Sequence, residues 1–542
     1  MEFSRPHVIN EATIEYLNTL DPKNPPNPET VAETILTVTT EKCREVNATR
    51  SKGEAKWRLP TELDEEQVAR ILARLYPIKR ISYLDDPKAD SDYILGIYQS
   101  DGENKGVYTV SDLAFKNIIK QYNNDFDDFR CQKVKQHLEC YVESSGLCRD
   151  KDLIAVNNGI FNYATKELQD FDPDVVFISK SHVDYNVNAQ NVNIHNDIDG
   201  TDWNVEDWMK SLSDDPEVVA LLWEILSAII RPNVRWSKSA WLYSEQGNNG
   251  KGTLCELMRE LCGKGAYTSI PIALFSKDFM LEPLLSVSAI IVDENDVGDY
   301  IDRSANLKAV ITNDVIFVNR KFKKPLSIQF KGFMVQCINE LPKLRDRSQS
   351  MLRRLILVPM LKCFTGIERK YIKNDYLHRK DVLEYVLYKV LNTNFYTLSE
   401  PQACKNLLCD YRIYNNPVED FYNEFKDRFV WDLLPYEFLY ILYKNYLKEV
   451  NPQSSIMGKN TFTRELRAVV QNDPTQQWVA STTPRSRGDN MSAKEQLIVQ
   501  YNLRDYMRDY IISADPRMDF TDEQKKKTYR GLLRNKSGVS NP

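Results

Sequence analysis

No Cys-x-x-Cys pair occurs in this chain of 542 residues, although it carries 10 cysteines. That absence argues against a structural zinc module and suits thiols kept reduced in a cytosol. The tightest grouping, Cys131, His137, Cys140 and Cys148, fits no common zinc spacing. It reads as buried thiols on amphipathic helices rather than as a metal site. No apolar run reaches membrane-spanning length: VVALLWEILSAII at 218–230 is short and interrupted by Glu224. The opening MEFSRPHVINEA lacks the apolar stretch of a signal peptide. These absences predict a soluble chain with no membrane partner. Excess positive charge is missing too, the net charge being −6, so any nucleic-acid role needs locally concentrated basic residues. There is no internal repeat and no long low-complexity tract.

What remains is an ordinary globular composition, 42% hydrophobic and 27% charged, with length for about three to four domains. Residues 1–60 are polar, with the Pro/Asn-rich DPKNPPNPET and a basic RSKGEAKWR, and suggest a small or partly ordered unit. TELDEEQVARILARLY at 61–76 has a cap and helical periodicity. LIAVNNGIFNYATKEL reads as strand, turn at Asn157-Asn158-Gly159, strand and a second turn. Residues 202–232 are helix-rich and stop at Pro232. From about Glu400 the composition shifts to Tyr/Phe-rich helices with basic segments and a polar tail.

YSEQGNNGKGTL at 243–254 is an imperfect phosphate-binding loop. In the pattern G-x-x-x-x-G-K-[ST], backbone N–H groups and a helix N-terminus surround phosphates while a lysine reaches the β/γ oxygens. Gly247, Asn248, Asn249 and Gly250 suit a tight curve, and Lys251 supplies the charge. Glu245 replaces the first glycine, which requires extended backbone there. Gly252 replaces the magnesium-binding hydroxyl, and Thr253 follows one place late as a candidate ligand. By itself the segment is equally a nucleotide site or a glycine-rich turn. The order strand, loop, amphipathic helix favours the former. Downstream, AIIVDEN is an apolar strand ending in Asp293 and Glu294, suited to holding Mg²⁺ and polarising an attacking water. GFMVQCINE is a further strand, ending at Asn339, whose amide can orient that water. SMLRRLILVPM places Arg353 and Arg354 before another apolar strand, where an arginine offered to a neighbouring subunit would stabilise a transferring phosphoryl group.

VIFVN and PLSIQF flank RKFKK and predict a β-hairpin with a basic, aromatic tip. One reading is a solvated loop charged for solubility. The other puts Lys321 and Lys323 on DNA phosphates and Phe322 against sugar or base.

Together, GNNGKGTL, IIVDEN, LKAVITNDVIFVNRKFKKP, INELPKL and LRRLILVP resemble superfamily 3 helicases, particularly the phage/plasmid primase-helicase branch. IAVNNGIFNYATKELQDFDPDVVFISKSHVDYN is similar to the domain preceding the ATPase there, so the resemblance covers roughly residues 95–362. It implies an α/β fold: an AAA+-type ATPase core with a central parallel sheet, an α+β N-terminal region and a winged-helix-like C-terminal domain. It further implies a homo-oligomeric, hexameric ring around DNA, ATP with Mg²⁺ between subunits, and 3′ to 5′ translocation. Lys251 matches the Walker A lysine, Asp293 and Glu294 Walker B, Asn339 the sensor and Arg354 the arginine finger, with Arg353 the other candidate. Lys308 and Asp314 match the B′ motif, although TND replaces its commoner glycine-rich turn. A glycine after the loop lysine also occurs in this branch.

C-terminally, KNTFTRELRAVVQ is a candidate recognition helix carrying Lys459, Arg464 and Arg467, and TPRSRGD a wing carrying Arg485 and Arg487. The layout is similar to replication initiators of staphylococcal pathogenicity islands and cassette chromosomes. The alternative is a helical protein-interaction domain with ordinary surface charge. The expected organisation is an accessory region at 1–92, a family N-terminal domain at 93–200, an ATPase domain at 201–398, a DNA-binding domain at 399–500 and a basic tail at 501–542 with electrostatic DNA contact. The implied function is an ATP-dependent DNA helicase replicating a mobile element or phage in a bacterial cytoplasm. Alternatives are an ATP-gated DNA-binding initiator without unwinding, or a primase-helicase. DFDD and DFDPD read as turns, not as a primase site.

Overall fold

The computed structural model describes residues 4–296, 300–301, 304–344, 349–450, 456–503 and 528–535. The chain divides into two compact units, Met1–Leu408 and Cys409–Pro542. Within the first, residues 1–60 are more ordered than their polarity suggests. Helices Arg5–Leu17 and Pro28–Thr49 occupy most of that stretch. The Pro/Asn-rich segment is a helix start: Asn27 accepts from the Glu29 N–H and Pro28 takes the first turn, where no N–H is needed. Val31, Ile35, Thr39 and Cys43 then form one buried stripe at four-residue spacing. Helix Glu65–Leu75 follows, with a capping box between Asp64 and Gln67.

A four-stranded sheet comes next, ordered Tyr108–Thr109, Tyr93–Tyr98, Ile78–Ser82, Ser144–Gly146. Helices Asp112–Tyr122 and Asp128–Leu138 accompany it. Cys131 is buried in the second of these helices, Cys140 is exposed, and His137 lies 2.8 Å from Glu66. The anticipated meander forms from Leu153–Val156, Gly159–Asn162 and Glu167–Gln169.

The centre of this unit is an all-parallel five-stranded sheet. Its strands are β1 (Ser239–Tyr243), β2 (Tyr267–Thr268), β3 (Ala289–Val292), β6 (Phe333–Ile338) and β7 (Leu355–Pro359). Helix α1 (Lys251–Cys262) follows β1, and the antiparallel hairpin β4 (Val315–Val318) and β5 (Leu326–Gln329) precedes β6. The spatial order is β2-β3-β6-β1-β7. Burial on both faces explains the continuous apolar runs AIIV, FMVQCI and LILVP. Because the chain leaves β1 toward one side and later returns to both of its flanks, the strand order reverses at β1. A crevice opens at the carboxyl ends of strands at such a point.

The second unit contains α2 (Pro417–Phe425), β8 (Leu433–Pro435), α3 (Tyr436–Val450), α4 (Lys459–Gln471), β9 (Trp478–Ala480) and β10 (Gly531–Arg534). β10 is the middle strand, antiparallel to both β8 and β9. The end of the expected tail is therefore structural: Leu532 is buried in, and Leu533 packs against, a core that includes Phe425, Phe429, Trp431 and Trp478. The basic run Lys525–Lys527 lies outside the described residues.

Candidate functional site

The loop between β1 and α1 bends over the sheet's carboxyl edge. Its left-handed residues are Asn248 (φ 53°) and Gly250 (φ 83°). Gly250 is required twice, since a Cβ there would also stand 2.7 Å from Leu212 Cδ2. Glu245 is not among the left-handed residues; it opens the bend, and its carboxylate accepts a 2.8 Å hydrogen bond from the Tyr243 hydroxyl. A glycine is therefore not needed at that position. Asn248 Nδ2 donates to Thr365 Oγ1 (3.2 Å) and Glu368 Oε1 (3.1 Å), and its carbonyl accepts from the Phe364 N–H (2.7 Å). These bonds tie the loop to the segment after β7.

Lys251 is the first residue of α1 and is buried. Its ammonium donates to Ser244 O (3.2 Å), Ile338 O (3.1 Å) and Asn339 Oδ1 (2.6 Å). The ends of β1 and β6 thus meet on one cation. Desolvation pushes the Lys251 pKa down, with Cys337 and Asp293 acting against it. The Asp293 carboxylate faces the first turn of α1: a Cβ on Gly252 would lie 3.1 Å from Oδ1 and 3.4 Å from Oδ2. Thr253 instead lines a neighbouring cavity together with Asn248 and Gly250. Glu294 and Asn339 are exposed at their strand ends.

Several supporting residues escape a sequence reading because their partners are remote in the chain. Asn295 Nδ2 donates to Gln336 Oε1 (3.0 Å) and Cys337 O (2.9 Å), while its Oδ1 accepts from the Ile272 N–H (2.9 Å). It pins the turn that carries Asp293 and Glu294 to β6. Arg259 Nη1 lies 3.7 Å from Asp293 Oδ2. Lys373 Nζ would be 3.6 Å from a Cβ on Gly252, which places a second cation over the loop. The cavity beside the loop, about 640 Å³, has Trp203, Trp208, Phe364 and Ile367 in its walls and Lys370 and Lys373 among its polar groups.

Arg354 lies away from this cluster. Its carbonyl accepts from Ser239 N–H (2.8 Å) at the start of β1, whereas Lys251 stands beyond the far end. The intervening five-residue strand spans roughly 16 Å. The Arg354 guanidinium donates to Ser350 O, and its buried Nε has no hydrogen-bond partner among the described residues; Arg353 is exposed. Lys308, in the helix Ala305–Ile311, and Asp314, which pairs with Arg235 at 2.7 Å, lie before the hairpin.

At the hairpin tip, Phe322 is 96% exposed and left-handed (φ 59°), with Lys321 Nζ 5.3 Å from its ring centroid. Val315 and Phe317 are also exposed, on the outer face of β4. Lys323 is engaged within the chain, paired with Asp112, which also binds Lys135 at 2.6 Å. Burial tends to raise the Asp112 pKa, but the two lysines hold it below the ordinary carboxylate value.

In the second unit, Lys459, Arg464 and Arg467 of α4 line one cleft of about 880 Å³ with Thr528 and Arg530. Lys459 also pairs with Glu437 (3.4 Å). Arg485 and Arg487 are not in that lining; Arg485 is exposed in a short strand paired with Thr528–Tyr529.

Residues 242–354 match the model of a family of unknown function, DUF5906, and residues 414–506 match "Poxvirus D5 protein-like". Over 279 residues the chain is 25% identical to "Putative helicase L207/L206" of Acanthamoeba polyphaga mimivirus, covering 49% of this chain. The chain spans only 28% of the length of that relative. Among solved structures, an A-form apo structure of the NrS-1 C-terminal region has a TM-score of 0.40 at 14% identity, covering 75% of this chain and 86% of that one. A second apo structure of that region scores 0.41 at 14% identity, over 80% and 98%. The sequence similarity therefore lies with viral helicase-like and D5-like proteins. Among the described residues, no helix is long and apolar enough to cross a membrane.

Proposed function

We propose that the chain is an ATP-dependent DNA helicase acting in replication of a virus, phage or mobile element, with ATP as substrate at Lys251. The observation that carries this reading is the convergence of three strand ends: Lys251 bonded to Asn339 at 2.6 Å, and Asp293 against Gly252. The strand order supports an AAA+-type core, because the Asn339-bearing β6 lies between the loop strand β1 and the carboxylate strand β3. Lys251 and Lys373 would neutralise phosphate charge, and the backbone from Gly247 to Gly252 would receive phosphate oxygens at the start of α1. The aromatic cavity beside Thr253 suits the nucleoside.

Mg²⁺ fits the donor set: Asp293 offers an oxygen ligand open to solvent, and the ion commonly completes its shell with water and phosphate. Asp293 would hold the ion, whose positive charge would offset the negative charge of the phosphates. Glu294, at the end of β3, would accept the proton of the attacking water, and Asn339 would orient that water. The strand-length separation of Arg354 from Lys251 favours an arginine finger acting on a neighbouring subunit's ATP, and hence a ring.

The exposed Lys321 and Phe322 would follow DNA. The order α2, β8, α3, α4, β9, β10, with the strand pair Arg485–Ser486 and Thr528–Tyr529 and the helix Gln496–Gln500 inserted between the last two strands, supports a winged helix with the cleft over α4 as a DNA contact. A second reading, an ATP-gated DNA-binding protein without unwinding, is favoured by the Lys323–Asp112 pair, which holds the hairpin against the N-terminal sheet domain. Fork unwinding separates them: Lys321→Ala should abolish strand separation and leave basal ATP hydrolysis intact. Unwinding retained in that variant would remove the hairpin from the mechanism.

A further inference from the structure

Two of the buried cysteines stand apart from the others. Cys255 sits on α1 one turn beyond Lys251, and Cys337 on β6 two residues before Asn339. Their sulfurs are 3.3 Å apart, and both thiols are free. Cys255 Sγ, Cys337 Sγ and an Asp293 carboxylate oxygen all lie within 4.8 Å of one another. The thiols are buried while Asp293 is partly open, its side chain 35% exposed, so the carboxylate is the member of the group that faces solvent. By contrast, Cys43, Cys131, Cys262 and Cys404 are buried without another cysteine and a carboxylate in such a group among the described residues.

We propose that Cys255, Cys337 and Asp293 form a binding site for a thiophilic divalent cation, Zn²⁺ or Cd²⁺. Sulfur ligands at about 2.3 Å in a tetrahedral shell stand about 3.8 Å from each other. The observed 3.3 Å therefore needs an opening of about half an ångström, within reach of small side-chain rotations. Two sulfurs and one carboxylate leave a fourth position for water on the Asp293 side. Metal entry forms two metal–sulfur bonds and releases the two thiol protons to solvent, with no change of oxidation state. The soft donors distinguish this site from the magnesium position, since Mg²⁺ takes oxygen ligands. An ion held here occupies the carboxylate that the ATP site would use. Zn²⁺ would therefore inhibit hydrolysis; that consequence rests on the function proposed above, whereas the binding does not.

The test is Cd²⁺ titration of the reduced full-length chain, followed by the thiolate-to-cadmium charge-transfer absorbance. The wild type should bind one equivalent more than C255S or C337S, and the double variant should lose that same single equivalent, not two. Superimposable titrations, or losses that add, would overturn the site. Cadmium NMR of the wild type provides a readout independent of any variant's folding: a shift typical of two sulfurs with oxygen is expected, and an all-oxygen shift would contradict the proposal. In a separate arm, micromolar Zn²⁺ should inhibit ATP hydrolysis by wild type but not by C255S. If the wild type hydrolyses no ATP, the functional reading fails while the cadmium result still decides the site.

Discussion

Gly252 is the residue at which the loop departs most consequentially from its pattern, and its neighbour supplies a reason. Asp293 comes so close that even a methyl group would contact the carboxylate at 3.1 Å. Gly252→Ala should therefore displace Asp293 and raise the magnesium concentration needed for half-maximal ATP hydrolysis. Gly252→Ser should be less harmful, because its hydroxyl can hydrogen-bond the carboxylate or serve as a ligand. Hydrolysis measured against Mg²⁺ concentration checks the order; an alanine variant indistinguishable from wild type would show that Asp293 has room to spare. The positions of Lys251, Asp293 and Asn339 could be anticipated from sequence because each closes an apolar strand or opens a helix. Lys373, Asn295 and the Cys255–Cys337 pair could not, since their partners come from elements remote in the chain and no local pattern marks them.

At the scale of elements, the core strands were legible because burial on both faces leaves uninterrupted apolar runs. The N-terminal helices were less so: the stripe from Val31 to Cys43 includes a threonine within a polar segment, which weakens its periodic signal. The last strand was hidden by its length, only Gly531–Arg534, and by the basic residues around it. One contact between elements has a measurable pH signature. Lys166, beside the second turn of the meander, donates to Leu391 O at 2.8 Å and lies 3.4 Å from the Tyr163 ring centroid. Burial, aided by the nearby Arg231, lowers its pKa to about 8. The unfolded chain then binds more protons than the folded one between about pH 8 and the ordinary lysine value, so this group makes stability rise with pH across that window. Lys166→Met should remove the rise. Chemical denaturation at pH 7.5 and 9.5 tests this, and an unchanged difference between the two pH values would mean that the lysine is not perturbed in the fold.

For the whole molecule, the proposed assembly requires Arg354 to act on a neighbouring subunit, since it lies about a strand's length from the Lys251 of its own chain. Neither Arg354→Ala nor Lys251→Ala should hydrolyse ATP alone. Mixed together, they should recover part of the activity at interfaces that combine an intact loop from one subunit with an intact arginine from the next. Steady-state hydrolysis across mixing ratios should pass through a maximum. A flat line at zero, with mixed assembly verified by size, would contradict a finger acting between subunits, and the same experiment with Arg353→Ala decides between the adjacent arginines. Only the order of motifs suggested this architecture in the sequence. The pairing of β1 with β7 adds only that Arg354 lies at the opposite end of β1 from Lys251 in the same chain.

The most direct test of the proposed helicase is strand displacement on 3′- and 5′-tailed forks with ATP and Mg²⁺. Strand separation by the wild type and its loss in Lys251→Ala, with 3′-tailed forks preferred, is the predicted result. A wild-type protein that hydrolyses ATP and binds the forks but separates neither would contradict the account and leave an ATP-gated DNA-binding protein in its place.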